Sequence, residues 1–200
     1  MSVVIGICGT NFCSLIADGR LGVGEYPNLS IVSEKVMKVY KINDRVLLGG
    51  AGWFHGSEDI TSPLDVFPDK KEITLKTAVD AVVAYIEGQK SEITTTRFYL
   101  VGGKDKNANF ALYEFQFDAS NQKLTVSPRI PQPPVSTFAV SCCFPPKIKD
   151  RQSEFFTKVC DCISTSKMHE EVLCKVGHVI GEISCVDESV NKNILTVTVF

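Results

Sequence analysis

From Ser2 to Arg20 the chain alternates twice with a period of two. Ser2, Val4, Gly6 and Cys8 alternate with Val3, Ile5 and Ile7, and Phe12, Ser14, Ile16 and Asp18 alternate with Cys13, Leu15 and Ala17. Period two belongs to a strand, and both runs are apolar on both faces, so they read as two buried strands about a Gly9-Thr10-Asn11 turn. Residues 21–28 read as a Gly/Pro-punctuated loop or bent ribbon. A third strand covers residues 35–42, with Val36, Lys38, Tyr40 and Ile42 on one face. After Asn43-Asp44, a tight-turn signal, a fourth strand runs from residue 45 into Gly49-Gly50-Ala51-Gly52.

Residues 53–71 are irregular, with a short helix near 57–60. Leu75, Ala78, Val79, Val82, Val83 and Ile86 then recur at helical spacing, predicting a helix over 73–87 with Gly88 as its C-cap. Residues 97–102 form a buried strand, and 111–117 pairs with 122–127 about Asp118-Ala119-Ser120-Asn121. Residues 128–134 are a proline-rich loop, and 137–143 is another buried strand. Asp150 is placed to cap a helix that turns Phe155, Phe156, Val159, Cys160 and Ile163 inward. A second helix buries Val172, Leu173, Val176, Val179, Ile180 and Ile183, and residues 194–200 close the chain as a strand. Strands that come in blocks, without βαβ alternation, favour antiparallel sheets covered by helices. The pattern holds no repeat, linker or second domain, so residues 1–200 read as one domain.

Composition narrows the classes. A net charge of −2 leaves no basic footprint for nucleic acid or an anionic membrane surface. No apolar run approaches the roughly 20 residues that span a bilayer, and no basic segment precedes an apolar core at the N-terminus, so a cytoplasmic location is expected. The eight cysteines form no CxxC pair and fall mostly in apolar runs, which reads as reduced core thiols. Cys142-Cys143 and Cys160-x-Cys162 do not make a zinc site, and His55, His169 and His178 lack ligand spacing, so no metal is implied. His169 and His178 read as helix-surface residues. Gly49–Gly52 is not a phosphate loop, because no Lys-Ser/Thr opens a helix after it, and no other cofactor is implied.

The candidate chemistry sits at the first strand. Removing Met1 would set the Ser2 hydroxyl beside a free α-amine, whose pKa of about 7.7–8.0 suits a general base. Nucleophile and base would belong to one residue. An intact Met1 would lock that amine into a peptide bond. Lys38, among apolar neighbours, needs a partner if buried, and Asp18 is the natural one; the alternative is a lysine that reaches solvent at a sheet edge. Gly52 lets a carbonyl approach the main chain, or serves only a bend.

These residues carry a resemblance. SVVIGI, LIADGR with Asp18 sixteen positions after Ser2, and KVYKINDRVLLGGAG resemble proteasome β-type subunits. They are also similar to the peptidase subunit of the bacterial two-component ATP-dependent protease. Both are N-terminal-nucleophile hydrolases. The likeness covers residues 2–53 closely and the remainder by element order, and with no helix before the first strand it is to the β-type and not the α-type. It implies an α+β fold, a four-layer αββα sandwich of two antiparallel sheets between helix layers.

The resemblance also implies roles. Ser2 would be the nucleophile, where the family usually has Thr. Lys38 would raise its reactivity and be held by Asp18; Lys35 is the alternative, but VYKINDRV places Lys38. The Gly52 N–H would receive the oxyanion, and Arg20 would brace the site or make only a surface salt bridge. Later motifs depart from the family: Ser141-Cys142-Cys143 stands for Gly-Ser-Gly, which puts the Cys142 thiol where a helper hydroxyl belongs. Asp187 matches the late Asp-x-x-Ser-Gly-Gly motif, with Val190 at the serine position and Ser189 one place early.

The implied activity is hydrolysis of a peptide or amide bond without cofactor, by a chain that self-associates into a homo-oligomer, with a ring as one form. The sequence names no ATPase or regulatory partner. Two other readings stand beside it: a catalytically inactive scaffold or ring subunit, and a small-molecule amidase or acyltransferase on the same fold.

Overall fold

The computed structural model describes residues 2–23, 29–52, 58–134 and 136–200. Its strands are β1 (Val4–Gly9), β2 (Cys13–Asp18), β3 (Leu21–Val23), β4 (Ser30–Ser33), β5 (Val39–Lys41), β6 (Val46–Gly52), β7 (Arg97–Lys104), β8 (Phe110–Asp118), β9 (Lys123–Arg129), β10 (Phe138–Cys143) and β11 (Ile194–Val199). The helices are α1 (Glu58–Thr61), α2 (Leu75–Gly88), α3 (Gln152–Ser164) and α4 (His169–Ser184). One sheet runs β10-β1-β2-β11 and another β5-β6-β7-β8-β9, each antiparallel throughout, while β3 and β4 make a separate ribbon.

Both faces of β1 and β2 are apolar because both are covered. Val3, Ile5, Ile7 and Ile16 pack on α3 and α4 through Phe155, Val159, Val176 and Ile180. Val4, Cys8, Leu15 and Ala17 face the second sheet at Leu47, Leu100 and Leu112. The far face of that sheet, including Val46, Leu48, Tyr99 and Val101, is covered by Ala78, Val82 and Ile86 of α2. The layers are helix, sheet, sheet, helix, as the resemblance implied.

Several local expectations need correction. The third strand begins only at Val39, although Lys38 still accepts a hydrogen bond through its carbonyl from Gly50 N–H at 2.9 Å. Helix α2 starts at a reciprocal capping box between Thr74 and Thr77, and it runs through Gly88, leaving Gln89 as the C-cap. Asp150 does not cap α3: a 3₁₀ segment, Pro146–Arg151, leads into it, and Arg151 holds the N-cap position. Phe156 is 41% exposed, so only Phe155, Val159 and Ile163 make the buried stripe of α3. Strand β9 continues through Pro128 to Arg129, where an edge position tolerates the missing N–H. The short helix begins at Glu58, and His55 lies outside the described residues. Among the described residues no helix is long and apolar enough to cross a membrane.

Candidate active site

Asp18 ends β2 with a carboxylate fully removed from water and four hydrogen bonds on it. Oδ1 accepts Val3 N–H at 2.8 Å, Oδ2 accepts Arg20 N–H at 2.9 Å, and Lys38 Nζ donates to both oxygens at 3.0 Å. The local chain dictates this convergence. Asp18 N–H returns a bond to the Val3 carbonyl at 3.3 Å, so the β1–β2 ladder continues past Val4 toward the chain start. Val36 N–H binds the Gly19 carbonyl at 2.8 Å, which lays the segment before β5 against the end of β2 and brings Lys38 onto Asp18. Lys38 is 3% exposed. Burial pushes its ammonium below the ordinary lysine pKa, and the Asp18 charge opposes that shift.

Ser2 is one peptide unit from this node and is itself buried. It lines a cavity of about 450 Å³ with Ala51, Gly52, Phe98, Cys143 and Phe144. Gly52 has φ of +119°, and a Cβ there would lie 2.7 Å from the Thr96 carbonyl oxygen. Backbone geometry alone therefore requires the glycine. Ser2 and Gly52 thus share one cavity; Asp18 and Lys38 do not line it, and their link to Ser2 is the Val3 N–H that Asp18 accepts.

Arg20 braces the same corner. Its Nη2 lies 3.0 Å from Glu34 Oε1, its Nε donates to Glu34 Oε2 at 3.1 Å, and its Nη1 donates to the Glu188 carbonyl at 2.5 Å. The Arg20 bonds hold the Glu34 carboxyl below its ordinary pKa. Asn191 completes the lattice: its Oδ1 accepts Gly19 N–H at 3.0 Å, and its Nδ2 donates to the Glu34 carbonyl at 2.8 Å. The loop bearing Asp187 and Ser189 is thereby pinned to the turn after Asp18. Asp187 Oδ1 accepts Ser189 N–H at 2.8 Å. Asp187 Oδ2 and Ser189 Oγ are buried with no hydrogen-bond partner among the described residues. Buried polar atoms are rarely left so.

Cys142 is not brought to this cavity. Alternation along β10 turns it, with Phe138 and Val140, toward the helix layer, and it is Cys143, opposite Val4, that reaches the cavity wall. Burial, with the Glu114 carboxylate adding to it, pushes the Cys143 thiol up to about 12. Ser141 instead donates to Glu114 at 2.8 Å. Strand alternation carried the signal for Cys143, given the register. Nothing in the sequence singled out Glu34 or Asn191, whose roles arise only once distant loops meet.

His169 is half-buried, and not a free helix-surface residue. Its Nε2 lies 2.8 Å from Ser14 Oγ, and its ring stands edge-on to Phe12 and Phe200. His178 is exposed, as expected.

No protein-family model matches the chain, and no curated protein matches its sequence. Solved structures do match its fold. One is eukaryotic HslV from Trypanosoma brucei, 12% identical, with a TM-score of 0.59 and 98% of each chain covered. The chain thus shares the α+β fold of HslV.

Proposed function

We propose that the chain is an N-terminal-nucleophile hydrolase of amide bonds, with Ser2 as nucleophile once Met1 is removed. The observation that carries this reading is the Asp18 carboxylate, which binds the Val3 N–H next to Ser2 and the buried Lys38 ammonium at once. A buried ion pair is costly to assemble, so its position against Val3, the residue after Ser2 and just before β1, favours a use there.

The chemistry runs in two acyl transfers. The Ser2 α-amine takes the hydroxyl proton as Oγ bonds to the substrate carbonyl carbon, and the carbonyl π pair moves onto oxygen. The Gly52 N–H receives that oxyanion, a contribution of about 2.7–4 kcal/mol for one such donor. The Lys38 charge favours the ionised form of the nucleophile. Collapse breaks the C–N bond, and the ammonium proton goes to the leaving amine. Water, deprotonated by the same α-amine, then attacks the Ser2 ester; collapse breaks the C–Oγ bond, the ammonium proton returns to Oγ, and the acid is released. Asp187, Ser189 and Arg20 position this corner of the site. Self-association of the chain into a ring accords with the HslV-like fold.

A second reading, a silent subunit of such an assembly, is favoured by Cys142, which packs toward the helices and offers no helper group.

Intact mass of the natural protein, before and after a Ser/Thr-directed electrophile, tests the choice. Loss of Met1 and one adduct that vanishes in Ser2→Ala is the expected result. A retained Met1 with no adduct overturns the hydrolase and leaves the silent subunit.

A further inference from the structure

All eight cysteines are free thiols, and two of them face each other. Cys8 on β1 stands directly opposite Cys13 on β2. Gly9 N–H binds the Phe12 carbonyl at 2.9 Å, and Asp18 N–H binds the Val3 carbonyl at 3.3 Å. The bonded rungs of this ladder therefore fall on Gly9–Phe12, on Val3–Asp18 and on alternate pairs between them. Cys8–Cys13 is a rung of the other kind, where opposite Cα atoms lie about 4.5 Å apart and side chains come closest. That spacing falls within the roughly 4.4–6.8 Å that a disulfide spans. Among the described residues no other two cysteines share a rung.

Both side chains point into the space between the sheets, where they pack with Leu100, Phe110 and Leu112. Gly102 on β7 makes room for one sulfur: a Cβ there would lie 2.5 Å from Cys13 Sγ. The Cys8 contact and burial hold the Cys13 thiol protonated, which makes the pair slow to react. Thr10 and Asn11 are exposed at the hairpin tip, and only the Gly9–Phe12 rung separates them from the two thiols. Fraying of that tip opens a way in for a molecule little larger than water.

We propose that Cys8 and Cys13 form a redox-sensitive staple: hydrogen peroxide oxidises them to a disulfide that ties β1 to β2, and excess thiol releases it. One thiolate attacks a peroxide oxygen; the O–O bond breaks, hydroxide leaves and is protonated to water, and a sulfenic acid remains. The second sulfur then attacks the sulfenic sulfur. The S–S bond forms, the S–O bond breaks, and a second water leaves. Two thiols and one peroxide thus give one disulfide and two waters, and thiol–disulfide exchange reverses the step. The staple sits at the end of β1 away from Ser2, so it acts on the stability of the hairpin whether or not Ser2 is a nucleophile.

The test is to treat the full chain with hydrogen peroxide, alkylate it in urea and cut it with trypsin. No Lys or Arg precedes Arg20, so both cysteines fall in one peptide that ends there. That peptide is expected to escape alkylation and to be lighter by the pair of hydrogens lost, with dithiothreitol restoring both thiols. Oxidised protein is expected to melt about 4 °C or more above reduced protein. Cys8→Ala and Cys13→Ala, each checked for folding by its own melting curve, should lose the oxidant-dependent rise. Two alkylated thiols in that peptide, when exposed Cys174 and Cys185 have been oxidised, overturn the inference. So does a sulfinic acid at either position, or a disulfide from either to another cysteine. An unchanged melting temperature in protein that carries the Cys8–Cys13 bond overturns the staple as well.

Discussion

Lys38 closes on Asp18 with its Nζ 3.0 Å from both carboxylate oxygens, and neither side chain has more than a trace of contact with water. The pair is embedded between the end of β2 and the start of β5, with Val3 N–H and Arg20 N–H on the same carboxylate. Breaking such a pair from one side leaves a buried charge uncompensated. Lys38→Met and Asp18→Ala are each expected to cost about 3–5 kcal/mol in urea denaturation. Asp18→Ala is the worse of the two, since it also strips the acceptor from two backbone donors. The double variant should cost clearly less than the sum of the singles. Additive losses would mean that the two charges are not coupled.

The first two strands and the Lys38–Asp18 pair are legible in the sequence for different reasons. Alternation on both faces of residues 2–18 could only mean strands buried on both sides, and the structure supplies a helix layer and a second sheet for them. The Lys38–Asp18 pair was legible because a lysine in an apolar run demands a partner. The length of β5 was not, because the segment before Val39 is held by single bonds from Val36 and Gly50, which no periodicity encodes. Cys142 and Cys143 could be told apart only by register, and the Arg20–Glu34–Asn191 lattice joins positions far apart in the chain. His169 looked like a surface residue because its partners, Ser14 and Phe200, come from opposite ends of the chain.

Thiol accessibility follows from packing. Cys174 and Cys185 are exposed, whereas Cys8 and Cys13 are buried opposite each other on β1 and β2. Iodoacetamide on the native protein at mildly alkaline pH is expected to label Cys174 and Cys185 first. Cys8 and Cys13 should react only after urea unfolding, since the Cys8 contact and burial also hold the Cys13 thiol protonated. Peptide mapping that found Cys8 or Cys13 labelled early would contradict the sandwich core.

Two glycines should respond in opposite directions to alanine. Gly103 has φ of +149°, and a Cβ would lie 1.9 Å from the Arg45 carbonyl oxygen, a backbone atom that cannot swing away. Gly103→Ala should cost about 2 kcal/mol or more. Gly181 lies inside α4 with nothing within 4 Å of an added Cβ. Gly181→Ala should therefore stabilise by about 0.5–1 kcal/mol through helix propensity. Thermal denaturation of both variants checks the pair; a stabilised Gly103→Ala would show that the β6–β7 end can relax.

His169 ties three elements together near the start of α4. Its Nε2 is 2.8 Å from Ser14 Oγ on β2, and Ser14 is in turn 2.8 Å from Thr198 Oγ1 on β11. Phe12 and Phe200 flank the ring at 4.6 and 5.1 Å. Burial among them lowers the imidazole pKa from the ordinary 6.5, and the Glu170 charge opposes this only in part. Between the lowered folded value and 6.5 the unfolded chain binds the extra proton and the folded chain does not, so stability rises with pH across that window. The contribution is complete above 6.5 and is lost as pH falls through the folded value. Urea midpoints at about pH 7.5 and about pH 5 should therefore differ less in His169→Gln than in the natural protein. Equal pH dependence in the two proteins would show that the ring accepts its proton without leaving Ser14 and the aromatic pair.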